Sequence, residues 1–145
     1  MTLIVRIYTD FFDLLYCAYF PMLYQEKTDL IIKCFYKVYN TLGYGFLEQV
    51  YENAFCLELR SAGFVCEKQK PISVCYQDIT VGNYYADIVV DNAIILELKA
   101  AESLGPEHEF QLINYLKATG IEIGLLFNFG KTPEFRRKIF TNLLR

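Results

Sequence analysis

The spacing of hydrophobic positions changes period several times along this chain, and the changes mark out its elements. Leu30, Ile31, Cys34, Phe35 and Val38 recur at helical spacing, with Thr28 or Asp29 placed to cap the helix they define. Residues 40–45, Asn-Thr-Leu-Gly-Tyr-Gly, interrupt that pattern, and a second helix is predicted from Phe46 to Ala62, stopped by Gly63. The period then shortens. Phe64–Tyr76, Val81–Val90 and Ala93–Ala100 read as three strands, punctuated by Gln77-Asp78 and Asp91-Asn92. Pro106 opens a helix that runs to about Thr119 and stops at Gly120, after which Ile121–Phe129 reads as one buried strand. Thr132-Pro133 then predicts a short basic helix ending near Leu143.

The predicted order is α-α-β-β-β-α-β-α. Tight turns make the first three strands an antiparallel meander, and a crossover through the third helix sets the fourth strand parallel to the third. The expected fold is therefore α/β: a mixed four-stranded sheet flanked by helices.

Composition narrows the function. The 145 residues carry 14 Lys and Arg against 17 Asp and Glu, a formal charge of −3 with the single histidine neutral. An acidic balance excludes the basic-tail type of nucleic-acid binder, but not a local basic surface around an acidic pocket. Apolar residues at 54% exclude disorder, and aromatics at 17% point to a large core and a sticky surface. Five scattered cysteines and one histidine offer no zinc pattern, and read as reduced, buried thiols.

Residues 1–21 stand apart. Their aromatic residues are broken by Asp10, Asp13 and Pro21, and the uncharged run Leu14–Tyr24 falls well short of the ~20 residues a membrane helix needs. No membrane association is expected. Met22 opens an ordinary cytosolic start, so residues 1–21 are expected to lie outside the functional domain, which would occupy 22–145 and be cytoplasmic.

Two strands carry the candidate chemistry. In Ile94-Ile95-Leu96-Glu97-Leu98-Lys99, alternation puts Glu97 and Lys99 on one face, Leu96 and Leu98 on the other. A carboxylate and a lysine in so apolar a strand require partners. Asp87, embedded among aliphatics one strand earlier, is the expected partner. A two-residue turn would pair Val90 with Ala93 and send Glu97 to the face opposite Asp87. A three-residue loop, Asp91-Asn92-Ala93, would pair Val90 with Ile94 and set Asp87 directly across from Glu97. Paired carboxylates suit a hard divalent cation, and Lys99 beside them could orient water or offset phosphate charge. Glu48 begins a mostly apolar stripe of the second helix (Tyr51, Phe55, Leu59), and His108, Gln111 and Tyr115 share one stripe of the third.

The run Gly45-Phe-Leu-Glu48-Gln-Val-Tyr51 resembles the Gly-x-x-Glu-x-x-Tyr signature of the small bacterial proteins named after that motif. Ala86-Asp87, Glu97-Leu-Lys99-Ala100, His108-Glu109 and the stretch from Gln111 through Tyr115 and Lys117 to Gly120 look like the same family. The resemblance runs from about Thr28 to Gly130. That family is placed in the PD-(D/E)XK nuclease-like superfamily, which implies a restriction-endonuclease-like αβββαβ core. It implies Asp87 and Glu97 as metal ligands, Lys99 as the signature lysine, and Glu48 as a helical acid added to the metal shell. Gln111 and Tyr115 match the Gln-x-x-x-Tyr helix motif of the RecB-like branch; with His108 and Lys117 they are assigned to nucleic-acid binding. The implied cofactor is Mg²⁺ or Mn²⁺ and the partner is nucleic acid, DNA or RNA. A domain this small would need two copies to cut both strands, which points to a homodimer. Two other readings remain open: a non-catalytic nucleic-acid-binding or assembly module, and a metal-dependent enzyme acting on a small phosphoester.

Overall fold

The computed structural model describes residues 24–141. The chain divides into two units at Lys33/Cys34. Residues 24–33 of the first are helical, and the helix, α1, extends to residue 42. It therefore includes residues ahead of the expected cap. Tyr-Gln-Glu-Lys favours helix, Gln25 bonds Asp29 one turn on, and Thr28 is buried rather than capping. The division proposed at residue 21 lies outside the described residues.

The second unit is a mixed five-stranded sheet in the order β1-β2-β3-β4-β5, flanked by helices. α2 (Glu48–Ser61) precedes β1 (Cys66–Tyr76), β2 (Ile79–Val90) and β3 (Ile94–Lys99); α3 (Pro106–Thr119) then leads to β4 (Ile123–Phe129) and β5 (Pro133–Ile139). β1, β2 and β3 pair antiparallel in sequence, and β3 and β4 are parallel, as predicted.

The end of the chain departs from expectation. Residues 133–139 form a strand, not a helix, antiparallel to β4 from Phe129↔Pro133 to Ile123↔Ile139. Three residues separate the two strands, few enough for a hairpin. Pro133 occupies the first strand position, where a missing N–H is tolerated. β4 is wholly buried, so its backbone groups must be paired on both sides; β5 satisfies the side that β3 does not. The sheet accordingly has five strands, where four were expected.

Each face of the sheet has its own core. On one, Phe35, Tyr51, Phe55, Phe127 and Phe129 form a fully buried aromatic cluster, with Tyr51 stacked on Phe129 at 4.3 Å. The Tyr51 hydroxyl also donates to the Gly43 carbonyl at 2.6 Å and accepts from the Phe46 amide at 3.2 Å. The motif tyrosine thus pins the α1–α2 loop, whose Gly43 and Gly45 take the positive φ that side chains disfavour. On the other face, Leu112, Tyr115 and Leu116 of α3 pack on Ile72, Ala86, Val89, Ile95 and Leu126.

Candidate active site

The β2–β3 loop decides whether Asp87 and Glu97 meet. Asp91 and Asn92 take positive φ (51° and 53°), the Ala93 amide closes the turn onto the Val90 carbonyl at 2.9 Å, and Val90 pairs with Ile94. That is the three-residue loop. Regular pairing continues through Ile88↔Leu96 and ends there. At the next position side chains replace the ladder. The Asp87 amide donates to Glu97 Oε1 at 3.1 Å, and the Leu98 amide donates to Asp87 Oδ2 at 2.9 Å.

The two carboxyl groups also hydrogen-bond each other, and Glu97 is only 3% exposed. Burial, followed by the Asp87 charge, pushes the Glu97 carboxyl up to about 9; Lys99 opposes this. At neutral pH Glu97 therefore carries a proton. Lys99 shares the Glu97 face by alternation, is half-buried, and makes no ion pair within 4 Å among the described residues.

The segment after Lys99 is clamped. Asn128, fully buried, accepts from the Ala101 amide at 2.9 Å and donates to the Ala101 carbonyl at 3.0 Å. A Cβ at Gly130 would collide with that same carbonyl. A lone amide in the otherwise apolar stretch Ile-Gly-Leu-Leu-Phe-Asn-Phe was the available sequence signal for this clamp.

A third carboxylate approaches from α2, and it is not the expected one. Glu52 is half-buried, and its carboxyl is held above the usual range first by burial and then by Asp87. Gln69 Nε2 donates to Glu52 Oε2 at 3.1 Å and to Asp87 Oδ1 at 3.4 Å, linking the two acids. Gln69 stands opposite Asp87 between the pairs Lys68↔Ile88 and Lys70↔Ala86, with φ at +51°, an uncommon value for a side-chain-bearing residue. Glu48, one turn earlier, is exposed at the start of α2. Among the described residues no three His, Cys, Asp or Glu side chains gather as a ready metal group. The expected Glu48–Asp87–Glu97 shell is therefore not preassembled. The helix sets Glu48 and Glu52 four residues apart; only the position of α2 over β1 distinguishes them.

The sequence profile of the PD-(D/E)XK nuclease superfamily matches residues 25–139. The chain belongs to the PD-(D/E)XK nuclease superfamily. Among curated proteins none matches it. Among solved structures it is similar to one reported as the crystal structure of SSO0001, with a TM-score of 0.51 and 18% identity over 64% of this chain. That likeness shows the fold alone, and the present chain spans 50% of the length of SSO0001.

Superfamily membership implies a divalent cation, and the donor chemistry here fits one. Asp87 and Glu97 supply hard oxygens from one sheet face, and Glu52 offers another across Gln69. α3 brings two of the predicted nucleic-acid residues to the same place. Gln111 Nε2 donates to the Tyr115 hydroxyl at 3.0 Å, and burial together with the Glu97 charge raises the tyrosine's pKa. His108 has a structural task instead, because its Nδ1 accepts the Gly105 amide at 3.1 Å and caps α3. Lys117 is exposed, with Nζ 5.4 Å from the centre of the Phe140 ring. At β5, Lys138 pairs with Glu109 at 2.9 Å and Arg136 with Glu134 at 3.1 Å, so these cations already answer acids of the fold.

Proposed function

We propose that the protein is a metal-dependent nuclease hydrolysing phosphodiester bonds of nucleic acid. The observation that carries this reading is the convergence of Asp87 and Glu97 at the point where the β2–β3 ladder ends, with Lys99 on the same face. A buried acid set beside a second, half-buried acid is costly, and a scaffold has no use for it. A bound Mg²⁺ or Mn²⁺ would supply the charge that polarises a phosphate and acidifies a water.

The chain's own residues do the rest. Asp87 and Glu97 would hold the cation, with Glu97 deprotonated. Lys99 orients the attacking water or meets charge developing on the phosphate. Asn128 fixes the backbone just beyond Lys99, and Tyr115, with Gln111 behind it, borders the acids from α3. Mg²⁺- or Mn²⁺-dependent cleavage of a mixed panel of DNA and RNA, single- and double-stranded, tests the proposal with Glu97→Ala as control. Cleavage by the wild type alone is expected. No cleavage of any substrate with either metal would leave the fold as a binding module. Among the described residues no helix is long and apolar enough to cross a membrane.

A further inference from the structure

The β1–β2 hairpin extends well past β3, which pairs only with Ile88–Val90, and its far half stands as a two-stranded arm beside α3. Between arm and helix lies a groove of about 810 Å³, a size typical of ligand clefts. Val74 and Tyr84 line it from the arm; Phe110, Gln111, Tyr115 and Lys117 line it from α3. Two of its rings are unusually open for their size, Phe110 at 64% exposure and Tyr84 at 49%. The ring centres of Tyr84 and Tyr115 are 5.8 Å apart at 44°, so these two rings are not stacked and leave faces available. Gly82 leaves room for the Tyr84 ring, since a Cβ there would lie 3.2 Å from Tyr84 Cε2.

One residue connects the groove to the acid pair. Tyr115 belongs to both, lining the groove while interacting with Glu97 and Asp87. We propose that this groove holds one unpaired strand of nucleic acid, with bases stacked against Tyr84 and Phe110 and the backbone led toward Asp87 and Glu97. The inference rests on the nuclease reading and adds to it a substrate class, single-stranded DNA or RNA. Aromatic rings stack on any unpaired base, whereas the faces of bases within a duplex are already covered. The groove is lined by one lysine, Lys117, and one acid, Glu107, so base stacking rather than backbone charge carries the contact.

The test is fluorescence anisotropy on the full chain in EDTA, which keeps the probe intact. The probes are labelled 12-mers of deoxythymidine and of uridine, with a 12-base-pair duplex for comparison. Single strands are expected to bind at least tenfold tighter than duplex. Phe110→Ala and Tyr84→Ala should each lose about five- to hundredfold of single-strand affinity, the range for one stacked base, with duplex affinity unmoved. Both side chains are exposed, so the variants should melt as the wild type does. Equal affinity for duplex and single strand, or wild-type binding by both variants, would overturn the proposal. So would a self-association in sedimentation that Phe110→Ala abolishes without changing oligonucleotide binding, because a second copy would then be the occupant. Failure here is separable from failure of the nuclease reading, which Mn²⁺-dependent hydrolysis of bis(p-nitrophenyl) phosphate by the wild type would uphold.

Discussion

The two ends of the β2–β3 hairpin are built to opposite purposes from the same pair of strands. At the turn end, Val90↔Ile94, Val89↔Ile95 and Ile88↔Leu96 pair regularly, and all six side chains are buried. One step further along the same register, Asp87 and Glu97 break the ladder: Glu97 accepts the Asp87 amide and Asp87 accepts the Leu98 amide with carboxylate oxygens. The first end gains stability from apolar area removed from water. The second places two acids where ionising both is unfavourable, and holds them there because the first end fixes the register. A strained or costly arrangement of this kind persists only where its surroundings over-determine it. Here those surroundings are aliphatic pairs on one side and the Asn128 clamp on the other.

The sharpest way to separate the two regions is to damage each and compare stability. Phe127 is fully buried, with ring centres 4.6 Å from Phe35 and 5.2 Å from Phe55. Phe127→Ala should cost about 3–5 kcal/mol in urea unfolding, enough to leave much of the chain unfolded at 37 °C. Asp87→Asn retains an oxygen for the Leu98 amide and removes the repulsion with Glu97. It should change stability by less than about 1 kcal/mol while removing metal binding. Equal losses in the two variants would mean that the acids are structural.

The next effect is a dependence on pH. Glu97 is held at about 9 in the folded chain against 4.5 as its ordinary value, so the folded state keeps a proton that the unfolded state releases. Stability from this group is complete below about pH 4.5 and is lost progressively as pH rises toward 9, with a slope of at most about 1.4 kcal/mol per pH unit. Denaturant midpoints of the metal-free chain should therefore fall between pH 5 and 8. Glu97→Gln, which cannot ionise, should flatten the profile, and an unchanged slope would show that the proton is not on Glu97.

A smaller loss is expected from the clamp. Asn128→Ala removes both bonds to Ala101 and leaves two half-buried backbone groups unmet, for about 1–2 kcal/mol. Because Ala101 lies two residues beyond Lys99, nuclease activity should fall more than the stability loss alone explains. Activity unchanged in a folded Asn128→Ala chain would remove the clamp from the account of the site.

How much of this was legible in the sequence follows the same division. Where one residue's face determines its neighbour's, parity arguments sufficed: if Asp87 and Glu97 were to meet, the turn needed either an odd-length loop such as Asp91-Asn92-Ala93 or a β-bulge, and the three-residue loop is the one formed. The α3 stripe of Gln111 and Tyr115 was readable for the same reason. β5 was not, because Thr132-Pro133 suits a helix start and a strand start alike. Phe135 and Ile139 fit a helical spacing, while Phe135, Arg137 and Ile139 fit alternation; the unpaired side of β4 settles it, and that is a tertiary fact. Glu52 was missed because helical spacing puts it on the same side of α2 as Glu48, and nothing local separates two acids one turn apart. Gln69 gave no signal at all, since its positive φ is imposed by the strands around it.

The finest distinction left is between those two helical acids. Gln69 Nε2 lies within hydrogen-bonding reach of Glu52 and Asp87 at once, so these two carboxylates already share one donor, in the way two ligands share a cation. Glu48 has no such link, and it stands exposed one turn back toward the start of α2. If α2 contributes a ligand, it should be Glu52, with Gln69 turning aside as the ion enters. Titration of the full chain with Mn²⁺ in a calorimeter measures this without any turnover. Glu52→Gln should weaken binding about tenfold, close to 1.4 kcal/mol, whereas Glu48→Gln should change it less than about threefold. Removal of the competing amide in Gln69→Ala should leave affinity unchanged or slightly improved, and Asp87→Asn should abolish it. The reverse ranking of Glu48 and Glu52 would return the helical ligand to the motif position and make the Glu52–Gln69–Asp87 chain a strut between α2 and the sheet.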